Sequence, residues 1–341
     1  MLHGFFSAID IIAVASLVLL AANVLAFALF AADKSRARRG KWRIKESVLM
    51  FFALVGGIGA ALAMGLLRHK IRKTKFKIAA ALGFALFLAA AFHVVHAVTI
   101  DRTVRFVELD FYVENWPAAL DGYRIAFMSD FHIMPHENMT DIAEELNRRD
   151  IDLLLLGGDF AMHGQRYLYT LTEIAKVETR DGIFGVDGNH DSYRRLFDAM
   201  AERGMTPLNN SGLHIHDNFF LAGVQDFWKR SPNIAEATAG ANPGDFILLV
   251  SHNPDVAMGQ PTAHIGLTLA GHTHGGQIAP FGLPVYLLLP HITSYGMRFG
   301  GGFAASADGT PVFVTNGVGD YYYVPRILAP PEVVIFTMRS P

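Results

Sequence analysis

Long apolar runs fill the first hundred residues of the chain, and a different pattern follows them. The three runs cover about 10–32, 48–67 and 78–98. Each is long enough to cross the ~30 Å of hydrocarbon in a bilayer, and none shows the polar face that a helix of a soluble domain would keep. The first run lacks the preceding basic residues of a cleavable signal peptide. The pattern therefore predicts an α-helical transmembrane domain over 1–100.

The second apolar run has a centre of small residues, GGIGAALAMG. We favour the interpretation that Gly56, Gly57 and Gly59 allow close helix packing. The alternative is a re-entrant hairpin, which would place the basic linkers 33–47 and 68–77 in the cytoplasm and the C-terminal part of the chain outside. If the run crosses fully, the linkers lie on opposite sides and their charge leaves the orientation open.

Short apolar segments bounded by Gly, Asn, Asp and Pro replace the long runs after residue 100. Their length and β-rich composition predict strands at 123–128, 151–156, 182–186, 219–224, 246–250, 266–270, 311–316 and 332–338. Helices are expected in three more polar segments, at 138–149, 165–177 and 192–204. The order predicts an α/β domain over 105–341.

Charge divides the chain in the same way. Residues 1–100 hold 13 Lys and Arg against three acids, and the remainder holds 16 against 28. No nucleic-acid partner is expected, because an acidic domain is repelled by the phosphate backbone. The chain has no cysteine, so a metal site would have to use His, Asp, Glu, Asn, backbone or water.

A polar cluster follows five of the predicted strands. The clusters read SDFH, GGDF, DGNHD, SHNP and GHTHGG in chain order. Sites in open α/β sheets form at the carboxyl ends of strands, so these five ends are expected to meet. Seven side chains in them are candidate metal ligands: Asp130, His132, Asp159, Asn189, His252, His272 and His274.

The candidate ligands are too many for one tetrahedral metal and suit two cations bridged by a carboxylate. Each one alone has an ordinary structural interpretation. An Asp-x-His pair can be a turn, Asn189 a left-handed turn residue, and a single His a satisfied core residue. The combination, in this order after five strands, favours the metal site.

The motifs SDFH, GGD, GNHD, SH and GHTHGG together resemble those of the calcineurin-like metallophosphoesterase superfamily, over about 105–341. The resemblance implies a sandwich of two β-sheets flanked by helices and a dinuclear centre of Mn, Fe or Zn. It implies these ligand roles: Asp130, His132 and His274 for one metal, Asn189, His252 and His272 for the other, and Asp159 as the bridge.

The same resemblance implies a mechanism. A hydroxide bridging the metals would attack phosphorus in line, His190 would lie near the leaving group, and Asp191 would orient His190. Phosphoprotein phosphatases of this superfamily continue the GD motif with Asp-Arg-Gly, whereas this chain reads GDFAMHG. That departure argues against a phosphoprotein substrate, and His163 is expected to be a surface residue.

Two further stretches bear on the membrane. DKSRARRGKWRIKE, GGIGA and RHKIRKTKF resemble a small uncharacterised bacterial membrane-domain family over about 20–80, which implies membrane insertion and no known chemistry. The tail, VFVTNGVG followed by PRILAPPEVVIFTM, resembles a membrane-associated phosphodiesterase-like subgroup, some of whose members are exported or act on lipid-linked phosphates. Residues 281–301 are apolar for a loop, and either dock on the bilayer or contain a core strand at Val285–Leu289.

The sequence therefore predicts a membrane-anchored, dinuclear-metal phosphoesterase, acting on a phosphodiester or a lipid-linked phosphate. Its partners would be the lipid bilayer and this substrate. It would be an integral protein of a bacterial inner or plasma membrane, with the catalytic domain outside the cytoplasm. The alternatives are a non-catalytic membrane scaffold or transport accessory with a vestigial phosphatase domain, and a nuclease, which the acidic charge disfavours.

Overall fold

The computed structural model describes residues 8–99, 103–114, 116–132, 136–160, 167–284, 292–321 and 326–341. The chain forms two compact units, Met1–His96 and Ala97–Pro341. Two expectations lie outside the described residues: the surface position of His163 and the alternatives for Val285–Leu289.

Four helices build the first unit: α1 Ala8–Arg38, α2 Glu46–Val55, α3 Gly57–Leu67 and α4 Thr74–Val98. Within them, Ser16–Arg38 and Thr74–His96 are each long and apolar enough to cross a membrane. Leu and Val side chains along both segments are exposed, including Leu17 and Leu82, as expected of helices whose solvent is lipid. We call this unit the membrane module.

The second apolar run is broken into α2 and α3, which are bent by 120° at Gly56. The glycines around the bend also pack closely, as expected. A Cβ atom on Gly59 would collide with the backbone of Asn23, and one on Gly57 with the backbone of Gly83. The Gly59 amide donates to Asn23 Oδ1 over 2.9 Å. Small residues thus let the bent pair lie directly against α1 and α4.

Ion pairs join the ends of these helices. Asp33, at the end of α1, is fully buried. Its Oδ2 lies 2.7 Å from Arg43 Nη2 and 2.8 Å from His69 Nε2. Glu46, which begins α2, accepts from Lys70 Nζ over 2.8 Å, just beyond the end of α3. The two basic linkers therefore meet at one end of the module.

The second unit contains twelve described strands and five described α-helices. The strands are β1 Arg105–Tyr112, β2 Arg124–Met128, β3 Leu153–Leu156, β4 Ile183–Gly185, β5 Thr206–Pro207, β6 Ser211–His216, β7 Phe219–Gly223, β8 Phe246–Val250, β9 Leu267–Ala270, β10 Gly302–Ala305, β11 Pro311–Val314 and β12 Glu332–Arg339. The helices are α5 His136–Asn147, α6 Tyr167–Ile174, α7 Tyr193–Ala201, α8 Ile234–Ala237 and α9 Val256–Gly259.

These strands form two six-stranded mixed sheets. One has the order β1-β12-β2-β3-β4-β5, and the other has the order β10-β11-β9-β8-β7-β6. Strands β2 to β5 are parallel, as are β7, β8, β9 and β11. Parallel strands end at a common edge, so each sheet brings several of its carboxyl ends together.

Buried side chains divide the domain into layers. Phe127 and Leu155 of the first sheet pack with Leu221 and Leu248 of the second in one cluster between the sheets. A second cluster joins the outer face of the first sheet to α5, α6 and α7, and a third joins the second sheet to α8 and α9. This arrangement confirms the predicted sandwich of two sheets flanked by helices.

Candidate metal centre

The five polar clusters lie at the carboxyl ends of β2, β3, β4, β8 and β9. The first three strands are neighbours in one sheet, and the last two are neighbours in the other. The two sheets pack face to face, and the polar residues that follow their strands contact one another at the shared edge. His272 and Asp130, which come from different sheets, share two contacts of 3.0 and 3.1 Å from the His272 amide to the carboxylate.

One ligand group consists of Asp130, His132 and His274, whose donor atoms lie within 4.8 Å of one another. His274 Nε2 lies 3.2 Å from Asp130 Oδ1 and 3.1 Å from His132 Nε2. All three side chains are buried. Two imidazole nitrogens and a carboxylate oxygen aimed at one point are a donor set for a transition-metal ion.

The other group consists of Asp159, His252 and His272. His252 Nε2 lies 3.2 Å from His272 Nδ1 and 3.1 Å from Asn189 Oδ1, so Asn189 joins this group. The structure thus places all seven predicted ligands in two neighbouring sets.

Asp159 lies between the two groups. Its Oδ2 is 3.2 Å from His252 Nε2 and 3.4 Å from His132 Nε2. The other oxygen, Oδ1, accepts from the His190 amide over 2.8 Å. One carboxylate oxygen therefore reaches both ligand sets, while the second oxygen fixes the carboxylate to the next loop.

Outer contacts orient two of the imidazole rings. His252 Nδ1 donates to the carbonyl oxygen of Gly157, and His272 Nε2 donates to that of Ile292, both over 2.8 Å. In the neutral form of each ring the donating nitrogen carries the proton, so the opposite nitrogen offers its lone pair to the ligand set. A carbonyl behind the ring is the usual support of a metal-binding histidine.

The backbone at the centre is strained. Five of the seven ligands have a positive φ, which is uncommon for residues other than glycine: Asp130 at 57°, His132 at 30°, Asp159 at 55°, His272 at 69° and His274 at 53°. Such conformations cost about 1–3 kcal/mol each and cluster at functional sites. The surrounding hydrogen bonds therefore hold the ligand directions fixed.

The electrostatics of the centre call for a cation. The ion pairs of Asp130 and Asp159 among the described residues are all with histidines. Burial alone would raise the pKa of Asp130, but the charge and hydrogen bond of His274 lower it well below its usual range. Burial lowers the pKa of His132 to about 3 and that of His272 to about 4. Burial would lower the pKa of His252, but the charge and hydrogen bond of Asp159 raise it well above its usual range. Two buried carboxylates surrounded by imidazole nitrogens form a donor set that fits divalent metal ions.

Asp191 contacts the backbone of two loops beside the ligand groups. Its carboxylate accepts from the amides of Asp159, Gly188 and Phe160 over 2.8–3.0 Å. Burial and then the charge of Asp159 raise its pKa to about 8. Both oxygens of Asp191 face backbone amides, and the role of orienting His190 stays a prediction. Asp191 joins the loops after β3 and β4.

A pocket opens onto both ligand groups, and His190 forms part of its wall. Its ring centroid is 5.3 Å from that of His132 and 5.6 Å from that of Tyr321. Burial lowers its pKa below the usual range. The pocket has a volume of about 90 Å³, which is the space of about three waters, and so suits a small group such as a phosphoryl.

Three residues at the centre are missing from the sequence-based set. Trp228 lines the pocket with its ring centroid 4.5 Å from that of His272, and Tyr321 lines it beside His190. Arg326 is fully buried and donates to the carbonyl oxygens of His274 and Ala329. Trp228 and Tyr321 lie outside the quoted motifs. Arg326 lies within PRILAPPEVVIFTM, a stretch that carries a resemblance but no predicted site role.

Two family models match this chain. Residues 123–276, which contain all the predicted site residues, match the model described as calcineurin-like phosphoesterase. Residues 23–76 match a family described as a protein of unknown function, DUF1294.

Related curated proteins carry metallophosphoesterase names. A transmembrane protein with metallophosphoesterase domain from Danio rerio is 26% identical over 86% of this chain and 71% of its own length. An uncharacterized metallophosphoesterase of Helicobacter pylori is 29% identical over 62% of this chain and 58% of its own length. Uncharacterized metallophosphoesterase YkuE of Bacillus subtilis is 28% identical over 66% of this chain and 82% of its own length. Each alignment leaves part of the relative unmatched.

Proposed function

We propose that this chain, which carries a calcineurin-like metallophosphoesterase domain, is a membrane-anchored enzyme that hydrolyses a phosphodiester or a lipid-linked phosphate. The observation that carries the proposal is the position of Asp159, whose Oδ2 lies within 3.4 Å of nitrogens from both ligand groups. A carboxylate shared by two ligand sets supports a two-metal hydrolase more than a single structural metal.

Two bound Mn, Fe or Zn ions would supply a water of lowered pKa and positive charge beside the phosphoryl oxygens. Asp130, His132 and His274 would hold one ion. Asn189, His252 and His272 would hold the other, and Asp159 would join them.

The chain's own groups would position the substrate. His190 lines the pocket next to Asn189, where its ring can donate a hydrogen bond to a phosphoryl or leaving oxygen. Trp228 is 43% exposed and forms an apolar wall beside His272. Asp191 keeps Asp159 in place through its amide.

Apolar side chains near the pocket support a substrate with an apolar part. Phe281 is 74% exposed and Leu283 is 55% exposed. Both belong to the segment that follows the lining residue Gln277, and Pro284 of the same segment lies against Gly276. Exposed apolar residues beside a polar site are typical of enzymes whose substrates are partly apolar.

The geometry of the membrane module supports a location for the catalytic domain. The first residue of α2 and the last residue of α3 lie on the same side of the membrane module, where the linkers 33–47 and 68–77 meet. These linkers hold 13 Lys and Arg, so the positive-inside rule favours the cytoplasm for that end. A chain that then crosses once through α4 would place residues 103–341 outside the cytoplasm of a bacterial inner or plasma membrane.

The test is hydrolysis of a generic aryl phosphodiester by the purified full chain with Mn²⁺. We expect Asp159→Asn and His190→Ala each to lower kcat/KM by about 10²-fold or more. Asp110→Asn and His214→Ala are matched controls, because both side chains belong to partly exposed ion pairs that do not line the pocket.

Wild-type activity in both site variants would overturn the roles of Asp159 and His190. A metal-loaded chain that is inert on monoesters and diesters would favour the non-catalytic scaffold. Cleavage of nucleic acid in preference to lipid-linked phosphates would favour the nuclease.

A further inference from the structure

A concave surface lies at the end of α1 in the membrane module. It is lined by Ala32, Ser35, Arg36, Arg39, Lys41 and Trp42. We propose that this surface, the α1-end site, binds the phosphate group of an anionic phospholipid. The proposal concerns the membrane module and is independent of the hydrolytic reaction.

The cations of the α1-end site are free to meet a ligand. The acids on this face, Asp33 and Glu46, are engaged by other cations, including Arg43 and Lys70. Within the described part of the chain, Arg36, Arg39 and Lys41 form no ion pair with an acid, and all three are exposed. Three uncompensated positive charges beside one concavity are a phosphate-binding arrangement.

The location matches the depth of lipid phosphates. The apolar span Ser16–Arg38 ends within the α1-end site, so the site lies where hydrocarbon gives way to headgroups. Trp42 is 94% exposed. An exposed Trp beside cations at the end of a span is typical of the membrane interface, where its ring lies among the headgroups.

The positive charges of the α1-end site outweigh the partial negative charge at the carboxyl end of α1. The carboxyl end of a helix carries about half a negative charge, and α1 ends here. Arg36, Arg39 and Lys41 carry three full positive charges. Arginine also donates two parallel hydrogen bonds to a phosphate, which an isolated point charge cannot do.

The site is preformed by the Asp33 ion pairs. Asp33 Oδ1 accepts from the Ile44 amide over 3.0 Å, and Asp33 Oδ2 pairs with Arg43. The Lys41 amide donates to the Arg36 carbonyl over 3.0 Å. The turn that carries Lys41 and Trp42 is thus tied to α1 on both sides, so little ordering is needed when a headgroup binds.

The experiment compares lipid retention by the full chain. The protein is released from nanodiscs holding equal amounts of phosphatidylglycerol and phosphatidylcholine, and bound lipids are counted by native mass spectrometry. We expect wild type to retain phosphatidylglycerol over phosphatidylcholine by roughly tenfold. The triple variant Arg36→Gln, Arg39→Gln, Lys41→Gln should lose this preference.

The matched control removes three charges from the same face outside the site, with Arg68→Gln, Arg72→Gln and Lys77→Gln. It should keep most of the preference. An equal fall in both triple variants would mean diffuse attraction and would overturn the site, as would the absence of any preference in wild type.

A conservative variant guards against misfolding. Arg36→Lys with Arg39→Lys keeps the charge and removes the paired hydrogen bonds, so the preference should fall by about threefold. Circular dichroism in the same nanodiscs checks that helix content is unchanged. Full retention by this variant together with loss in the triple variant would assign the preference to charge alone and contradict the arginine geometry.

Discussion

Buried carboxylates occur in both units of this protein, with opposite electrostatic surroundings. In the membrane module, Asp33 is paired with Arg43 and approached to 3.6 Å by Lys70. In the metallophosphoesterase domain, Asp130 and Asp159 are equally buried, and their described ion pairs are with histidines alone. The first carboxylate is neutralised by permanent cations of the chain, whereas the other two face imidazoles, whose nitrogens are donor atoms for a metal ion.

The contrast separates structural from functional charge. A buried carboxylate beside permanent cations holds loops together. Removing one partner of such a pair lowers the unfolding free energy, because the other partner stays buried without its counter-charge. Buried carboxylates beside imidazoles offer donor atoms whose charge can be balanced by a metal. The four predictions below test this comparison, beginning with the largest effect.

Metal removal should affect one unit only. Dialysis of the full chain against a chelator should lower phosphodiesterase activity by about 10³-fold or more, and Mn²⁺ should restore it. At free metal of ~1,000 Kd, binding adds about 4 kcal/mol to the unfolding free energy. Differential scanning calorimetry should therefore show a chelator-dependent transition for the metallophosphoesterase domain, with the membrane module unchanged. A shift of both transitions would contradict the comparison.

Removing Asp33 should destabilise the membrane module and leave the metal content of the other domain unchanged. Asp33→Ala leaves the Ile44 amide and the buried His69 ring without their partner, which costs about 1–3 kcal/mol. Arg43 is half-exposed and Lys70 keeps Glu46, so neither becomes an isolated buried charge. The loss should appear as a lower transition temperature of the membrane module in detergent. Metal content measured by elemental analysis should remain at the wild-type value. Asp110→Asn serves as the control, since its ion pair with Arg339 is largely exposed.

Asp191→Asn should weaken metal binding without acting through His190. The new amide N–H₂ would face backbone N–H groups that now donate to the oxygens of the Asp191 carboxyl group, at a cost of about 1–3 kcal/mol. Competition with a chelating dye should show metal affinity lowered by about 10–100-fold, as for other groups that support ligands. A double-mutant cycle with His190→Ala should be additive in kcat at saturating metal. Strong coupling would support the role in which Asp191 orients His190.

The smallest effect concerns Glu332, a half-buried acid away from the metal ligands. Burial raises its pKa, although hydrogen bonds from the Asn316 amide and the Thr315 hydroxyl oppose the rise. The folded state therefore binds this proton more tightly than the unfolded state. Stability is fully present below the ordinary carboxyl pKa and is lost as pH rises through the folded value, at no more than about 1.4 kcal/mol per pH unit. Urea titrations across pH 4–7 should show a shallower slope in Glu332→Gln.

Local pattern predicted much of the metallophosphoesterase domain. All eight predicted strands are present, because each combines an apolar run with bounding turn residues. The pattern misses four strands. β1 alternates charged and apolar residues at a sheet edge, β6 contains two histidines, and β5 and β10 have only two and four residues. The resemblances of residues 20–80 and of the five strand-end motifs are confirmed by the family matches. The resemblance of the tail to a phosphodiesterase-like subgroup stays a prediction.

The remaining features depend on contacts between distant segments. The bend at Gly56 is set by packing against α1 and α4, which a single apolar run cannot reveal. Arg326 reaches His274 from a loop 52 residues later. The contacts of Asp191 could not be read from GNHD, because its partners Asp159 and Phe160 belong to the preceding loop. Sequence motifs show which residues are present at the site, and the tertiary fold determines what each one touches.

The left-handed backbone at five ligands limits which substitutions can be interpreted. Asn, Asp and His tolerate positive φ better than other non-glycine residues. Alanine at Asp159, where φ is 55°, would remove a donor atom and add about 1–2 kcal/mol of conformational strain. An alanine scan would therefore overstate the metal-binding contribution of these residues. Asn in place of Asp and Gly in place of His both tolerate positive φ. These substitutions would therefore measure the loss of metal ligation without added backbone strain.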